Sequence, residues 1–177
     1  MVKRLFAGAV WAVVTLMLII AFLPKKELYY FAEQLLLDYR INVNNETAVD
    51  YALALRLKNA DLVYDRMPIA KIDNMSLLTT FFYNRFEVMP FVFSNELAAL
   101  MPARIDRLEA VHTIFMPHLV FVSGAGQFGE FEGKIDLISR IFTVTLTAPQ
   151  EIVDQYAQVF QMMTKLESGG YAYELNF

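Results

Sequence analysis

Residues 129–137, GEFEGKIDL, alternate without a single error between two kinds of residue. One set contains glycine, phenylalanine, isoleucine and leucine, and the other contains two glutamates, a lysine and an aspartate. Because successive side chains of a β-strand point to opposite faces, this period of two predicts a strand with one buried and one charged face. Such alternation is typical of an antiparallel sheet that exposes one face to water. The stretch therefore predicts a protein built on an antiparallel sheet.

The same period of two recurs on both sides of this stretch. Residues 141–147, IFTVTLT, set apolar residues against three threonines, and residues 51–58, YALALRLK, alternate in the same way. Ser123–Gly126 is rich in small residues and predicts a turn between two strands. Pro90 predicts a bend or an edge position in its strand, because proline cannot donate to a strand ladder.

Two segments have a helical period instead. Lys25–Tyr39 predicts a connector helix with Pro24 at its first turn, and Gln150–Leu166 predicts a helix that ends at Gly169 and Gly170. The expected fold class is α+β, mainly β. Its parts are an N-terminal transmembrane helix, the connector helix, a curved antiparallel sheet of about seven to nine strands, and a C-terminal helix packed on that sheet.

The first part of the chain contains nineteen consecutive uncharged residues, from Leu5 through Trp11 to Leu23. As a helix they would be about 28 Å long, close to the thickness of about 30 Å of a bilayer's hydrocarbon core. They predict a membrane anchor over residues 1–23 that contacts lipid, followed by one extracytoplasmic, β-rich domain over residues 24–177. A cleaved signal peptide is the alternative, but the run is too long and no small-x-small site follows it.

The basic residues near this segment predict its orientation. Lys3 and Arg4 precede it, and Lys25 and Lys26 follow it. A short basic N-terminus favours the cytoplasmic side. The predicted localisation is therefore a single-pass inner-membrane protein with its N-terminus in the cytoplasm and its bulk in the periplasm.

Composition excludes several classes of function. The formal net charge is −4, which argues against nucleic acid as a partner. The chain has no cysteine, so disulfides, zinc–thiolate sites and thiol nucleophiles are excluded. The only histidines, His112 and His118, lack a regular metal-ligand spacing, and Glu130 and Glu132 continue into Lys134 as a solvated strand face. We therefore expect no enzyme, no cofactor and no metal.

Aromatic residues leave one question open. The chain contains 15 Phe and 9 Tyr, mostly within predicted strands. They predict core packing or, alternatively, an exposed apolar concave face that binds acyl chains or another protein.

The C-terminus predicts a strand and a candidate interaction surface. Tyr171, Tyr173, Leu175 and Phe177 share one face of residues 171–177. We expect this strand to pair into the sheet and to pack beside Phe160 and Met163 of the last helix. The alternative is a free segment that adds to the sheet of a partner.

Several segments of the chain carry a family resemblance. In Gly126–Leu146 a strand punctuated by glycine leads into one that alternates with threonine. The other segments are Leu23-Pro24, Leu28-Tyr29-Tyr30, Leu57-Lys58-Asn59-Ala60, Ile69-Ala70-Lys71-Ile72 and Leu77-Leu78. In these segments the chain resembles general secretion pathway protein N and AsmA-like proteins. The resemblance implies an inner-membrane protein with one N-terminal anchor and a periplasmic sheet, and it brings no catalytic residues.

The expected function is therefore a non-catalytic structural component that assembles with the proteins of an envelope machine of the type II secretion kind. Two alternatives remain. One is a small AsmA-like module that binds acyl chains, and the other is a periplasmic accessory component of a flagellar motor.

Overall fold

The computed structural model describes residue 15 and residues 25–98 and 104–177. The predicted anchor positions Leu5, Trp11 and Leu23 lie outside these residues. The boundary between the predicted anchor and the predicted domain lies outside them as well.

The longest helix of the described ranges is α1, Lys25–Asp38, with 14 residues. It would be about 21 Å long, short of a hydrocarbon core of about 30 Å, and it carries charged residues throughout. Within residues 15, 25–98 and 104–177, no helix combines the length and the apolar composition that crossing a bilayer demands. This finding contradicts the predicted single-pass inner-membrane localisation.

The described chain folds into one eleven-stranded antiparallel sheet with a few short helices. The strands follow the order β1-β3-β4-β5-β6-β7-β8-β9-β11-β10, and β2 also pairs with β3. The strands are β1 Ile41–Asn44, β2 Thr47–Asp50, β3 Ala54–Tyr64, β4 Met67–Thr79, β5 Tyr83–Phe93, β6 Arg104–Thr113, β7 Leu119–Gly126, β8 Gly129–Asp136, β9 Ile141–Thr147, β10 Thr164–Lys165 and β11 Tyr171–Asn176. The remaining helices are α2 Asn95–Ala98, α3 Gln150–Gln155 and α4 Ala157–Phe160.

The mainly β class and the antiparallel pairing are confirmed, and a helix over Lys25–Asp38 forms where the connector helix is predicted. The sheet has more strands than predicted because short strands add to both of its margins. On one side β1 and β2 each pair with part of β3, and on the other side the two-residue β10 pairs with β11.

The predicted turn at Ser123–Gly126 is wrong, because these residues complete β7 and the chain turns afterwards at residues 127–128. Close packing within the sheet, not a turn, explains the glycine at position 124. A Cβ at Gly124 would collide with the ring of Phe131 on β8 and would lie 2.7 Å from the carbonyl oxygen of Arg107. Glycine here allows close approach within the sheet rather than a turn.

The predicted helix over Gln150–Leu166 is also wrong. Tyr156 has φ −113° and ψ 35°, which leaves the helical region and divides the segment into α3 and α4. None of the residues in α3 is buried, so packing does not hold the two pieces in line. The segment then returns to extended backbone in β10.

The core lies on one side of β1, β3, β4 and β5. Val43, Ala60, Ile72 and Val88 are buried and contact one another. Half-buried neighbours complete this cluster: Leu62, Met75, Phe86, Phe91 and Leu108.

The side-chain alternation slips by one residue within this core. Ile72 and Met75 belong to the same cluster although residues three apart in a regular strand lie on opposite faces. At the slip, Asn59 adopts a left-handed φ of 57°, and the ladder between β4 and β5 skips Pro90. Pro90 therefore interrupts a central strand, which agrees with the bend that its residue type predicts.

The sheet has little helical cover. Helix α1 lies against β1, β2 and β3, and no other helix of the described ranges packs broadly on β4–β9. The apolar side of β6–β9 is half-exposed as a result.

Candidate functional site

Two rows of apolar residues cross the sheet on the side where the core lies. Register places Phe86 of β5 beside the first row and Val88 beside the second. Residues of one row are cross-strand neighbours on one face. The first row is Ala110, Val122, Gly133, Val144 and Tyr173, and the second is Leu108, Gly124, Phe131, Leu146 and Tyr171. We call these ten positions the open face.

The open face is a continuation of the core without the core's cover. Val88, at its inner border, is 2% exposed, whereas Val122, Phe131 and Val144 are only half-buried. At the far border burial returns only in the second row, where the ring of Tyr171 meets the ring of Phe160 edge to face at 4.7 Å. The open face is thus an apolar surface with a packed inner border and a far border that is packed at Tyr171 and open at Tyr173.

The opposite face of the same strands is charged. Glu130, Glu132 and Lys134 are exposed on it, as the alternation in residues 129–137 predicts. Glu132 lies between Ser123 and Thr145 in register, so the two glutamates face water and neighbouring hydroxyl groups. A depression of about 340 Å³ lies beside them, and its polar lining includes Arg107, Glu109, Ser123, Glu130, Glu132, Thr145 and Thr147.

Four charged residues form a ring on this face, across β5 and β6. Glu87 and Glu109 lie directly opposite each other, and each contacts both Arg85 and Arg107. Arg85 Nη2 lies 2.9 Å from Glu87 Oε1, and Arg85 Nε lies 2.8 Å from Glu109 Oε1. The two arginines therefore screen a pair of like charges that would otherwise repel each other.

The ring predicts a stability effect for Arg85→Met. We expect a loss of about 1–2 kcal/mol, because the two half-buried carboxylates would retain only Arg107 between them. The measurement is the midpoint of urea unfolding. Arg104→Met is the matched control, since its ion pair with Asp106 is exposed on both sides and is worth about 0–1 kcal/mol. Equal losses in both variants would refute the role of the ring.

A second group of ionisable residues lies where α1 meets the turn between β1 and β2. Burial, and then the carboxylate of Glu46, raise the pKa of Glu33 above its ordinary value. Burial is also the main cause that raises the pKa of Tyr29, followed by the charges of Glu46 and Glu33. The contact between helix and turn thus brings two carboxylates together.

These carboxylates predict a pH dependence of stability. The folded-state pKa of Glu33 is raised, so its contribution to stability is full below the unfolded value of about 4.5 and is lost as the pH rises through the folded value. We expect Glu33→Gln to raise the melting temperature at pH 7 and to flatten its pH dependence just above pH 4.5. Glu27→Gln, at an exposed position of the same helix, is the control. A parallel pH profile in Glu33→Gln and the unsubstituted protein would contradict this prediction.

The C-terminal residues form a strand at the margin of the sheet. Strand β11 pairs with β9 from Tyr171 to Asn176, whereas β10 covers only Tyr171 and Ala172 on the other side. No described strand pairs with the outer edge of β11 beyond Ala172. Tyr173 is 38% exposed and Phe177 is 57% exposed, and Leu175 is exposed as well. The candidate interaction surface is thus partly accessible, and its role stays a prediction.

The histidines lie apart from the glutamates. His112 Nε2 lies 3.1 Å from the carbonyl oxygen of Pro117 in the turn after β6, and His118 lies at the end of that turn. Across the described ranges, no cluster of three or more histidine, aspartate or glutamate side chains is arranged to hold a metal ion. The arrangement offers apolar contact on one face and charge on the other.

The sequence interpretation missed one group of surface residues. Several turns carry large apolar side chains at their tips, among them Phe82, Phe115 and Ile138. The signal was present in the sequence, because the polar residues that usually mark turns are replaced by FF, IFM and LI between strand patterns.

Comparisons of this chain with protein families, with curated proteins and with solved structures find no match.

Proposed function

We propose that this chain is a non-catalytic interaction protein that assembles with partner proteins through the open face and the neighbouring edge of β11. The observation that carries this proposal is the pair of apolar rows that continue the core across β6–β9 without a helix of the described ranges on them. A sheet with one apolar face normally buries that face against a second layer. A partner would supply this layer.

The extent of the open face supports this proposal. Two rows across five strands, with strands about 4.8 Å apart and side-chain rows about 6.7 Å apart, cover roughly 300 Å² of the plane of the sheet. All of these positions except Tyr171 are at least partly exposed, and a contiguous apolar patch on a soluble protein often marks an interaction site. The edge of β11 adds unpaired backbone groups beside the same rows, and such groups favour the addition of a strand.

The kind of assembly is proposed from the sequence resemblance. Gly126–Leu146, which resembles the corresponding part of general secretion pathway protein N and AsmA-like proteins, includes β8 and most of β9 and so contributes to the open face. We therefore propose a secretion-type machine as the assembly to which the chain contributes a structural component.

A photo-crosslinking experiment on the full chain in its native cells tests this proposal. A benzoylphenylalanine at Tyr173, at the end of the first row, is expected to give protein adducts of discrete mass. The same residue at Lys134 is the control, because Lys134 is exposed on the charged face of the same sheet. The proposal fails if Tyr173 gives no adduct or if both positions give the same adducts.

Acyl chains are a second candidate for the open face. The specific observation is that both rows consist of apolar residues, so a hydrocarbon chain would meet no charged side chain along them. We expect native mass spectrometry of the full chain to show phospholipid adducts that Val144→Asp reduces. Thr143→Asp, on the adjacent position of β9 and the opposite face, should leave them unchanged. A protein without lipid would exclude this candidate.

A further inference from the structure

The turns at the two ends of the sheet differ in polarity. In an antiparallel meander alternate turns lie at the same end. One end therefore contains the turns β2–β3, β4–β5, β6–β7 and β8–β9, together with the C-terminal Phe177. We call this the apolar end. Its tips expose large hydrophobic side chains: Tyr51, Leu53, Phe82, Ile114, Phe115, Met116, Leu137, Ile138 and Phe177.

The exposure is extreme at two of these tips. Phe115 is 81% exposed and Ile138 is 80% exposed. Phe115 contacts the ring of Phe82 on the neighbouring turn, with ring centroids 6.4 Å apart, yet it remains almost fully accessible. A side chain of this size normally folds back onto the protein, so its exposure on successive tips calls for a partner.

The described turns of the opposite end are more polar at their tips. The β3–β4 turn is Asp65-Arg66, and the β7–β8 turn is Gln127-Phe128, in which the half-buried ring of Phe128 contacts Phe131. Exposed apolar side chains occur at this end as well, among them Tyr64 and Met67, which pair in register beside the first of these turns. The two ends therefore differ in the tips of their described turns.

Backbone hydrogen bonds hold the apolar tips in line. Ile114 N–H donates to the carbonyl of Phe82 at 3.1 Å, and Leu137 N–H donates to the carbonyl of His118 at 2.9 Å. Phe177 N–H donates to the carbonyl of Arg140 at 3.0 Å. The carboxylate of Asp136 accepts the N–H groups of Ile138 and Ser139, which fixes the tip of the β8–β9 turn and holds the pKa of Asp136 below its ordinary value.

We propose that the apolar end docks on a lipid surface, with the tips of the β4–β5, β6–β7 and β8–β9 turns inserted at the depth of the headgroups. This inference concerns a different surface from the open face and does not rest on the proposed function. In this arrangement the domain lies on the surface of a bilayer, and no helix of the described ranges spans the bilayer.

Two observations favour lipid over protein as the occupant. Aromatic and aliphatic side chains at these tips suit the interfacial region of a bilayer. Exposed Arg140 in the β8–β9 turn places a cation beside Ile138, where an anionic headgroup would lie.

Helix α1 begins at this same end. Lys25, the first residue of α1, donates from Nζ to the carbonyl of Ala52 in the β2–β3 turn at 2.8 Å. The helix therefore starts beside the exposed Tyr51 and Leu53.

Site-specific fluorescence on the full chain tests the docking. Trp11 is the only tryptophan, so Trp11→Phe gives a dark background in which Phe115→Trp or Met67→Trp reports one end of the sheet. The probe is a vesicle of phosphatidylcholine and phosphatidylglycerol with brominated acyl chains. We expect at least about twofold stronger quenching for Phe115→Trp than for Met67→Trp, because an interfacial side chain lies ~5–10 Å into the boundary between headgroups and acyl chains.

A second substitution tests whether neighbouring tips act together. Ile138→Ser, added to the Phe115→Trp protein, is expected to weaken the quenching, whereas Met67→Ser should leave it unchanged. All of these positions are exposed, so a loss of folding is not expected, and circular dichroism verifies it. Equal quenching at both ends, or no quenching at either end, overturns the proposal. Emission from Phe115→Trp that is already shifted to short wavelength without vesicles, and is not quenched with them, also overturns it, since protein would then cover the tips.

Discussion

Replacement of Gly129 by alanine is expected to destabilise the protein by about 3–4 kcal/mol, a large share of the 5–15 kcal/mol that stabilises a typical domain. Gly129 begins β8 with a φ of 109°, which side chains of L-residues rarely adopt. A Cβ there would collide with the carbonyl oxygen of Thr147 and lie 2.9 Å from the Cα of Ala148. The expected loss combines the backbone strain with the separation of β8 from the end of β9.

Gly169→Ala separates these two causes. Gly169 also has a positive φ, of 89°, but no atom lies within 4 Å of the position of a new Cβ. Its substitution should therefore cost only the backbone strain, about 1–2 kcal/mol. The measurement for both variants is the free energy of unfolding in urea. Equal losses would show that the contact with β9 contributes nothing.

Deletion of Tyr171–Phe177 is expected to cause aggregation or degradation rather than a small change in melting temperature. The deletion removes β11 from the ladder of β9 along six residues and exposes that strand as a new edge. It also removes the buried ring of Tyr171 from Phe160, and the loss of a buried aromatic side chain alone costs about 3–5 kcal/mol.

Deletion of Phe177 alone is the control for the truncation. Its side chain is exposed, and its N–H makes one hydrogen bond, to the carbonyl of Arg140, so the expected loss is about 1 kcal/mol. Thermal unfolding and analytical ultracentrifugation measure both variants. A longer truncation that keeps the original melting temperature would mean that β11 is free to add to the sheet of a partner.

The position of the apolar turn tips could be predicted from the sequence alone. The exposed tips at Phe82, Phe115 and Ile138 lie between segments that alternate as strands, so their position in turns follows from local pattern alone. Their alignment at one end follows only once the strands are known to form a meander, because that order places every second turn together.

The close contact that requires glycine at position 124 could not be predicted from the sequence. Gly124 lies in a short glycine-rich segment that resembles a turn, and its neighbour Phe131 comes seven residues later on another strand. The ring of charged residues could not be predicted either, because Arg85 and Glu109 come into contact only through the register of β5 and β6. Contacts between strands depend on pairing, which local periodicity does not specify.

The sequence by itself determined the local structure where one period dominates. The alternation of residues 129–137 set β8 and its charged face, and the helical pattern after Pro24 set α1, because each side chain's direction follows from the backbone over a few residues. Tertiary structure decided the number of strands, the division of residues 150–160 into two helices and the continuity of the open face. These features depend on contacts between residues distant in sequence, and such contacts stabilise the fold only after the strands have paired.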